Sequence, residues 1–511
     1  MLQGSRTRSA QARRRLSKLA CLAYASLAFI AIAGLTPTQV KAQPQVGDES
    51  CYVDGLSDRL RCGFVNVPEN YSEPDGKQIQ IHYVVLPAIK PSFTQEALLA
   101  IAGGPGQSAI ENAAGFDRIF NKVRQQRDIL LIDQRGTGLS SPLQCTGESF
   151  EGTLAFDETD LDIAAEIQKC RDGLTADVRQ YGSETALKDF EAVRTHLGYQ
   201  KLHIYGISYG SRMAQLYMRH YPEAIATVTL DGVVPMQQSV LNIGDAIARA
   251  FKLLFEDCQN NSLCHQQFGQ LETEFNQVNQ QLAKAPMISQ TRDPLTFEPT
   301  QLTMTQNKFM GAIRMALYST NVRALLPHAI HQAAQGNFQP LMGLYALTVN
   351  STGMAMGMHA SVVCAEDWQR FKAQKSAEQA NYFSTEMLKG IDQTCPIWDM
   401  ASVDDSFSAP IDSDLPTLLL SGEIDPATPP SWGEMAMEKL TNAKHFIDPY
   451  ATHGVAYQSC ANELIAQLIS SGSVEKLSDE CLHKDVSRNF YLNANTVEQL
   501  ANQADTQGAT Q

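Results

Sequence analysis

The stretch KLHIYGISYG, residues 201–210, decides the fold. It begins as a β-like run and passes without a break into Ser208, which stands between Gly206 and Gly210 and is followed by an amphipathic helical pattern, SRMAQLYMRHYPE. A serine needed only for packing or solubility has no use for so cramped a corner. Strand, Gly-x-Ser-x-Gly, helix is a sharp turn that exposes the serine hydroxyl at the carboxyl edge of a sheet and aims the Tyr209 backbone N–H toward the same point. Glycine on either side leaves room for helix and strand to approach. The pentapeptide by itself is weak, since a chain of this length holds it by chance about 0.2 times. Its surroundings have to carry the reading.

Those surroundings repeat one theme. Short apolar runs ending at glycine, aspartate or proline recur at IQIHYVVLPA (79–88), ALLAIAGG (97–104), DILLIDQRG (128–136), KLHIYG (201–206), ATVTLDG (226–232), LPTLLLSG (415–422) and KHFID (444–448), most separated by helical patterns. Continuous apolar strands alternating with helices predict an α/β fold with a mostly parallel central sheet and helices on both faces. Ligands bind such sheets beyond the carboxyl ends of the strands. Between Pro235 and about Cys395 the rhythm gives way to long helical patterns such as NIGDAIARAFKLLFEDC, which predicts an inserted helical cap.

A serine at that turn needs a base and an orienting acid, placed after later strands in the order serine, acid, histidine. LLLSGEIDPATPP offers Asp425 and DPYATHGV offers His453. In these roles Asp425 holds the imidazole tautomer, His453 moves the serine proton, and Ser208 forms an acyl-enzyme. Glu423 is the rival acid and lies closer to the strand end; His445 is the rival base and would start a strand at the wrong edge. His196, His220 and His265 read as ordinary hydrogen-bonding histidines. The turn AGGPGQS (102–108) follows an earlier strand and supplies a second oxyanion donor, assigned to the Gly104 N–H with Gly103 next. No lysine follows in that loop, which argues against phosphate binding.

The amino terminus has a different character. Six basic residues between Arg6 and Lys18 precede an apolar run from Leu19 to Leu35, and Val40-Lys41-Ala42 is a small-x-small cleavage site, so residues 1–42 read as a signal peptide. A membrane anchor is the minority reading, and twin-arginine and general secretory export fit equally well. Beyond residue 42 the chain has 33 basic and 55 acidic residues, a net charge of about −22 that disfavours nucleic acid and anionic lipid. Ten of the eleven cysteines also lie there, an even number that reads as disulfides in an exported chain, with sequence neighbours paired by proximity alone. No spacing suggests a metal site, and no motif calls for a cofactor. The expected location is periplasmic or extracellular, with no stable membrane insertion after cleavage.

GGPGQS, DQRGTGLS (133–140), GISYG, LDGVVP (230–235), GEIDPATPP and THG, taken in this order, resemble the secreted proline iminopeptidase and tripeptidyl aminopeptidase family of α/β-hydrolases. The resemblance spans about residues 103–481 with a poorly matched middle. It implies the α/β-hydrolase fold and a serine exopeptidase acting on free peptide N-termini under the cap. It also implies structural roles for Asp133 and Arg135, and acidic residues near the cap that hold the substrate ammonium. Glu366 and Asp367 in CAEDW are the candidates for the latter, against a solvated acidic helix end. Ala102 stands where a histidine often precedes the glycine-rich turn, and GMAMGMH (353–359) reads as packing rather than as a pocket lining. The expected organisation is a first core part at 43–235, the cap at 236–395, a second core part at 396–490 and a flexible tail at 491–511. An esterase or amidase on small acyl substrates is the alternative activity, and a binding protein that lost turnover the third.

Overall fold

The apolar runs of the sequence become neighbouring strands in a computed structural model of the protein, which describes residues 49–145, 154–293, 296–349, 353–374, 381–484, 486–493 and 496–497. The expected signal peptide and residues 498–511 of the expected tail lie outside the described residues. The main sheet contains β1 (Glu49–Cys51), β2 (Leu60–Pro68), β3 (Gln78–Leu86), β4 (Glu96–Ile101), β5 (Asp128–Ile132), β6 (Lys201–Ile207) and β7 (Ile225–Asp231). A hairpin of β8 (Met287–Arg292) and β9 (Pro299–Met304) stands apart, and β10 (Thr417–Gly422) and β11 (Ala443–Asp448) complete the main sheet.

The nine strands lie in the order β1-β2-β3-β5-β4-β6-β7-β10-β11, and everything from β5 to β11 is parallel. β1, β2 and β3 form an antiparallel edge, with Tyr83 opposite Ile132 where it joins β5. Successive residues of the central strands serve opposite faces, as the period of two requires. Leu99, Ile101, Leu130, Ile132, Leu202, Ile204 and Leu419 pack into one hydrophobic cluster. Leu98, Ala100, Ile129, Leu131, Tyr205, Leu418 and Leu420 pack into the other. Helices α1 (Ala113–Ile119), α2 (Ile163–Gly173), α3 (Ser183–Leu197) and α4 (Tyr209–His220) belong to the first half of the chain. The chain leaves β4 through α1 to β5 on one side, then returns through α3 to β6 on the other. The carboxyl ends of β4 and β6 therefore open a crevice between loops that diverge.

The insertion between β7 and β10 is helical, as expected, with the β8–β9 hairpin inside it. Its helices are α5 (Ile243–Asn260), α6 (Ser262–Phe268), α7 (Leu271–Leu282), α8 (Gln306–Ala316), α9 (Thr320–Arg323), α10 (Leu326–Ala334), α11 (Gln339–Val349), α12 (Met356–Glu366), α13 (Trp368–Gln374) and α14 (Tyr382–Trp398). Helices α5 to α11 share a hydrophobic cluster of their own around Phe251, Phe275 and Phe309. Met358, Val362 and Cys364 of α12, with Cys395 and Trp398 of α14, instead pack into the sheet's own cluster. Helix α14 is shared between the layers, since its Tyr382 and Phe383 pack into the insertion's cluster, and within GMAMGMH Met358 is fully buried and Met356 half exposed.

Helices α15 (Pro430–Ala436) and α16 (Ala461–Ser471) flank the last two strands of the sheet. The described part of the tail is ordered: β12 (Tyr491–Asn493) pairs with β13 (Thr496–Val497), Phe490 is buried among the insertion's helices, and Tyr491 N donates to Ala324 O at 3.0 Å. The expectation of a free tail from residue 491 fails because Phe490 and Leu492 have an apolar seat on the insertion. Disulfides join Cys51–Cys62, Cys145–Cys170, Cys258–Cys264, Cys364–Cys395 and Cys460–Cys481, the sequence-neighbour pairing. No helix among the described residues is long and apolar enough to cross a membrane.

Candidate active site

Ser208 sits between β6 and α4 with φ 57° and ψ −128°, a strained conformation for a residue with a side chain. Two contacts explain the glycines. A Cβ on Gly206 would stand 2.2 Å from Gly210 O, and one on Gly210 would stand 2.4 Å from Ile101 O at the end of β4. Ser208 N donates to Asp231 O at 2.9 Å, pinning the turn to β7. Ser208 is partly exposed while Tyr209 and Gly210 are buried, so the hydroxyl stands at the surface of the crevice. The Tyr209 N–H opens α4, where the helix dipole favours negative charge.

The acid and the histidine arrive from the loops after β10 and β11. Asp425 is fully buried; its Oδ1 accepts from Ala427 N (2.7 Å) and Thr428 N (2.9 Å), and its Oδ2 accepts from Thr428 Oγ1 (2.8 Å). His453 Nδ1 lies 2.9 Å from Asp425 Oδ2 and 3.2 Å from Thr428 Oγ1. A carboxylate only accepts, so Nδ1 carries the hydrogen and Nε2 is left as the acceptor. Burial pulls the His453 pKa down, but the charge and hydrogen bond of Asp425, with Asp231 adding, more than reverse this and raise it above the ordinary 6.5.

Asp231 holds the two halves together. Its backbone oxygen carries Ser208 N, and its carboxylate accepts from Val455 N (2.8 Å), Ala456 N (3.0 Å) and Tyr205 OH (2.7 Å). Next to it Gly232, at φ 62°, lies where a Cβ would be 2.9 Å from the His453 ring. A Cβ on Gly454 would likewise meet Ile207, the residue before the serine, at 2.9 Å. The imidazole loop is thereby packed against the serine turn. Neither Asp231 nor Thr428 is singled out by the sequence reading; an aspartate closing the strand next to the serine strand, and a Thr three residues after the acid, are the signals that point to them.

The glycine-rich turn after β4 faces the same place: Gly103 is so close that a Cβ there would be 2.9 Å from Ser208 Cβ. Asp133 braces this turn, accepting from Ser108 Oγ (2.6 Å), Ile110 N (3.1 Å) and Leu139 N (3.0 Å). Arg135 does not pair with it but with Asp189, through two hydrogen bonds of 2.6 and 2.7 Å in which both side chains are fully buried. The insertion meets all three loops. Ala355 N donates to Gly106 O at 2.9 Å, Arg249 pairs with Glu423, and the Tyr318 ring stands edge-on to His453 with centroids 5.4 Å apart. Glu423 is thus engaged by the insertion rather than by a histidine. His445 bonds Ser421 Oγ at 2.9 Å within the sheet, and burial lowers its pKa.

Glu366 and Asp367, expected to hold a substrate ammonium, are both buried and turned inward. Glu366 accepts from Ser183 N and Ser183 Oγ, each at 2.8 Å; Asp367 accepts from Arg212 through both oxygens (3.1 and 2.9 Å), from Val240 N (2.8 Å) and from Arg370 (3.0 Å). They join α12 to α3 and α4 and leave no oxygen facing the crevice, because a pair of buried carboxylates needs these donors in place of water. A groove of about 540 Å³ lined by Lys201, Arg219, Glu223 and Asp412 lies at the amino ends of the strands, the wrong edge for this chemistry. No group of metal-ligating side chains occurs among the described residues.

Known proteins share this arrangement of sequence. Residues 96–266 match the alpha/beta hydrolase fold family, and residues 380–481 match the family of TAP-like proteins. The serine protease Hip1 of Mycobacterium tuberculosis is 25% identical over 464 residues, which cover 82% of this chain and 87% of that protein. The putative hydrolase YuaR of Escherichia coli K12 is 30% identical over 209 residues, 37% of this chain and 41% of that protein. The tripeptidyl aminopeptidase of Streptomyces lividans is 27% identical over 208 residues, 36% of this chain and 38% of that protein. The chain is accordingly an enzyme, a serine hydrolase with the α/β-hydrolase fold, whose residues 96–266 match the alpha/beta hydrolase family and whose residues 380–481 match the TAP-like family, and it is similar in sequence to named serine peptidases.

Proposed function

We propose that the protein is an exported serine exopeptidase that removes residues or short peptides from free peptide N-termini. The observation that carries this reading is the His453–Asp425 pair packed beside the strained Ser208 at the carboxyl edge of the sheet. In the reaction His453 Nε2 takes the Ser208 proton as Oγ attacks the scissile carbonyl carbon. The Tyr209 and Gly104 N–H groups receive the developing oxyanion. The C–N bond then breaks, the imidazolium gives its proton to the leaving amine, and an acyl-enzyme on Ser208 remains. Water, deprotonated by His453, attacks the ester and frees the serine. Export is supported by the leader-like residues 1–42 and by the five disulfides, which persist in oxidising compartments. Restriction to chain ends is supported by the named relative and by an insertion that meets the loops around Ser208.

The test compares purified protein and Ser208→Ala on fluorogenic peptides with free N-termini, the same peptides N-acetylated, and a short-chain aryl ester. Cleavage confined to free termini, with kcat/KM lower by about 10⁴- to 10⁶-fold in the variant, is the expected result. Equal turnover of acetylated peptides or of the ester would replace the exopeptidase reading with that of a general acyl hydrolase.

A further inference from the structure

Among the charged side chains that the site description leaves unused, Arg314 has the least ordinary surroundings. It lies near the end of α8, four residues before Tyr318, and is only partly exposed. Its Nε is buried and has no hydrogen-bond partner, a condition it shares with Arg212 and Arg323, but unlike them it forms no ion pair among the described residues. The other arginines of this region are neutralised: Arg249 by Glu423, Arg323 by Asp257, and Arg212 and Arg370 by Asp367. A chain with so large an acidic excess has carboxylates in plenty to offer a guanidinium, and here none of the described residues offers one.

Its position relative to the reacting groups follows from its neighbours. Tyr318 lies edge-on to His453, and the Tyr318 carbonyl accepts from Thr452 Oγ1 at 2.7 Å, so this end of α8 rests on the histidine loop. Arg314 belongs to the last turn of α8, and Tyr318 to the turn that follows it. The pKa of His359, which bonds Pro105 O at 3.1 Å in the glycine-rich turn, is lowered mainly by burial, with a smaller contribution in the same direction from the Arg314 charge. Arg314 thus lies on the part of α8 that adjoins the histidine loop. A half-buried guanidinium without a counter-ion is costly in isolation and is completed by a planar anion that enters from the crevice.

We infer that Arg314 is a specificity residue that binds a carboxylate of the substrate, either the free C-terminus of a short peptide or an acidic side chain near the scissile bond. The inference rests on the Ser208 reading, and its test separates the two. One peptide is made as the free acid, as the C-terminal amide, and as the amide with one acidic side chain; kcat and KM are measured for the wild type, Arg314→Gln and Arg314→Lys. A matched ester pair, 4-nitrophenyl hemisuccinate and 4-nitrophenyl butyrate, makes the same comparison without any peptide.

The wild type should favour at least one carboxylate-bearing substrate by about 10- to 100-fold in kcat/KM, expressed in KM. Arg314→Gln should bring that ratio toward one, and Arg314→Lys should restore part of it. Which peptide carries the preference identifies the source of the carboxylate. A ratio near one in the wild type, or one that survives in Arg314→Gln, overturns the inference. If a fluorophosphonate labels Ser208 yet no peptide is cleaved, the exopeptidase reading falls, and the ester pair decides Arg314 on its own. Should Arg314→Gln fail to fold, the Lys variant decides by a lowered ratio.

Discussion

At the scale of single residues the site depends on which proton sits where. Asp425 accepts three hydrogen bonds besides that of His453, so it stays in place and remains an acceptor, and the imidazole is confined to the tautomer with Nε2 free. Because Asp425 raises the His453 pKa, a base at His453, as proposed, is lost by protonation at a pH above the ordinary imidazole value. Activity should therefore fall as the pH falls through a midpoint above 6.5. In Asp425→Asn the raising charge is gone while burial still pulls the pKa down. The residual kcat/KM, lower by about 10³- to 10⁴-fold, should show its acidic limb at a lower pH. A pH–rate profile of both proteins checks this, and coincident midpoints would mean that another group titrates. The positions of Ser208, Asp425 and His453, each after an apolar strand and in that order, are legible in sequence. Asp231 and Thr428 are not, since their importance lies in contacts that cross from one loop to another.

At the scale of elements, α12 decides what sequence could and could not reveal. The sheet strands advertise themselves through β-branched runs of the right length, whereas α12 is buried on nearly all sides and has no polar face to say which core it serves. Sequence cannot place its carboxylates for the same reason: Arg212, which engages Asp367, is 155 residues away in the chain. At the end of this helix Glu366 is pushed up to about 7, mainly by burial, with Arg212 pulling down and Asp367 pushing up. Folding thus raises its proton affinity. The stability this confers is fully present below about pH 4.5, the ordinary glutamate value, and is lost as the pH rises through about 7. The loss is at most about 3 kcal/mol. Gln at this position stays neutral and can still accept from Ser183 N. The difference in urea-unfolding free energy, Glu366→Gln minus wild type, should therefore become more positive between pH 5 and pH 8. A difference that stays flat would show that Glu366 does not titrate in this range.

At the scale of the molecule, the two halves of the proposed catalytic apparatus come from parts of the chain separated by the helical insertion, and the insertion is tied down from outside its own sequence. Leu154 O accepts from Thr303 N at 2.8 Å on one side, and on the other Phe490 and Leu492 close onto the helices with Tyr491 bonded to Ala324. No periodicity announces such a return, because a short apolar strand after a polar stretch reads as a frayed end until its seat is known. The insertion's hydrophobic cluster contains none of the chain's three tryptophans, and Trp398 packs in the sheet's cluster. Tryptophan fluorescence therefore follows mainly the core, while far-UV circular dichroism is weighted toward the helices of the insertion. Phe490→Ala removes a buried ring at the edge of the insertion and should cost that layer about 3 kcal/mol. In the variant the circular-dichroism transition in urea should move to lower concentration and separate from the fluorescence transition, which should stay near its wild-type midpoint. If both transitions move together, insertion and sheet unfold as one cooperative unit, and the chain's end stabilises the whole enzyme rather than the layer it touches.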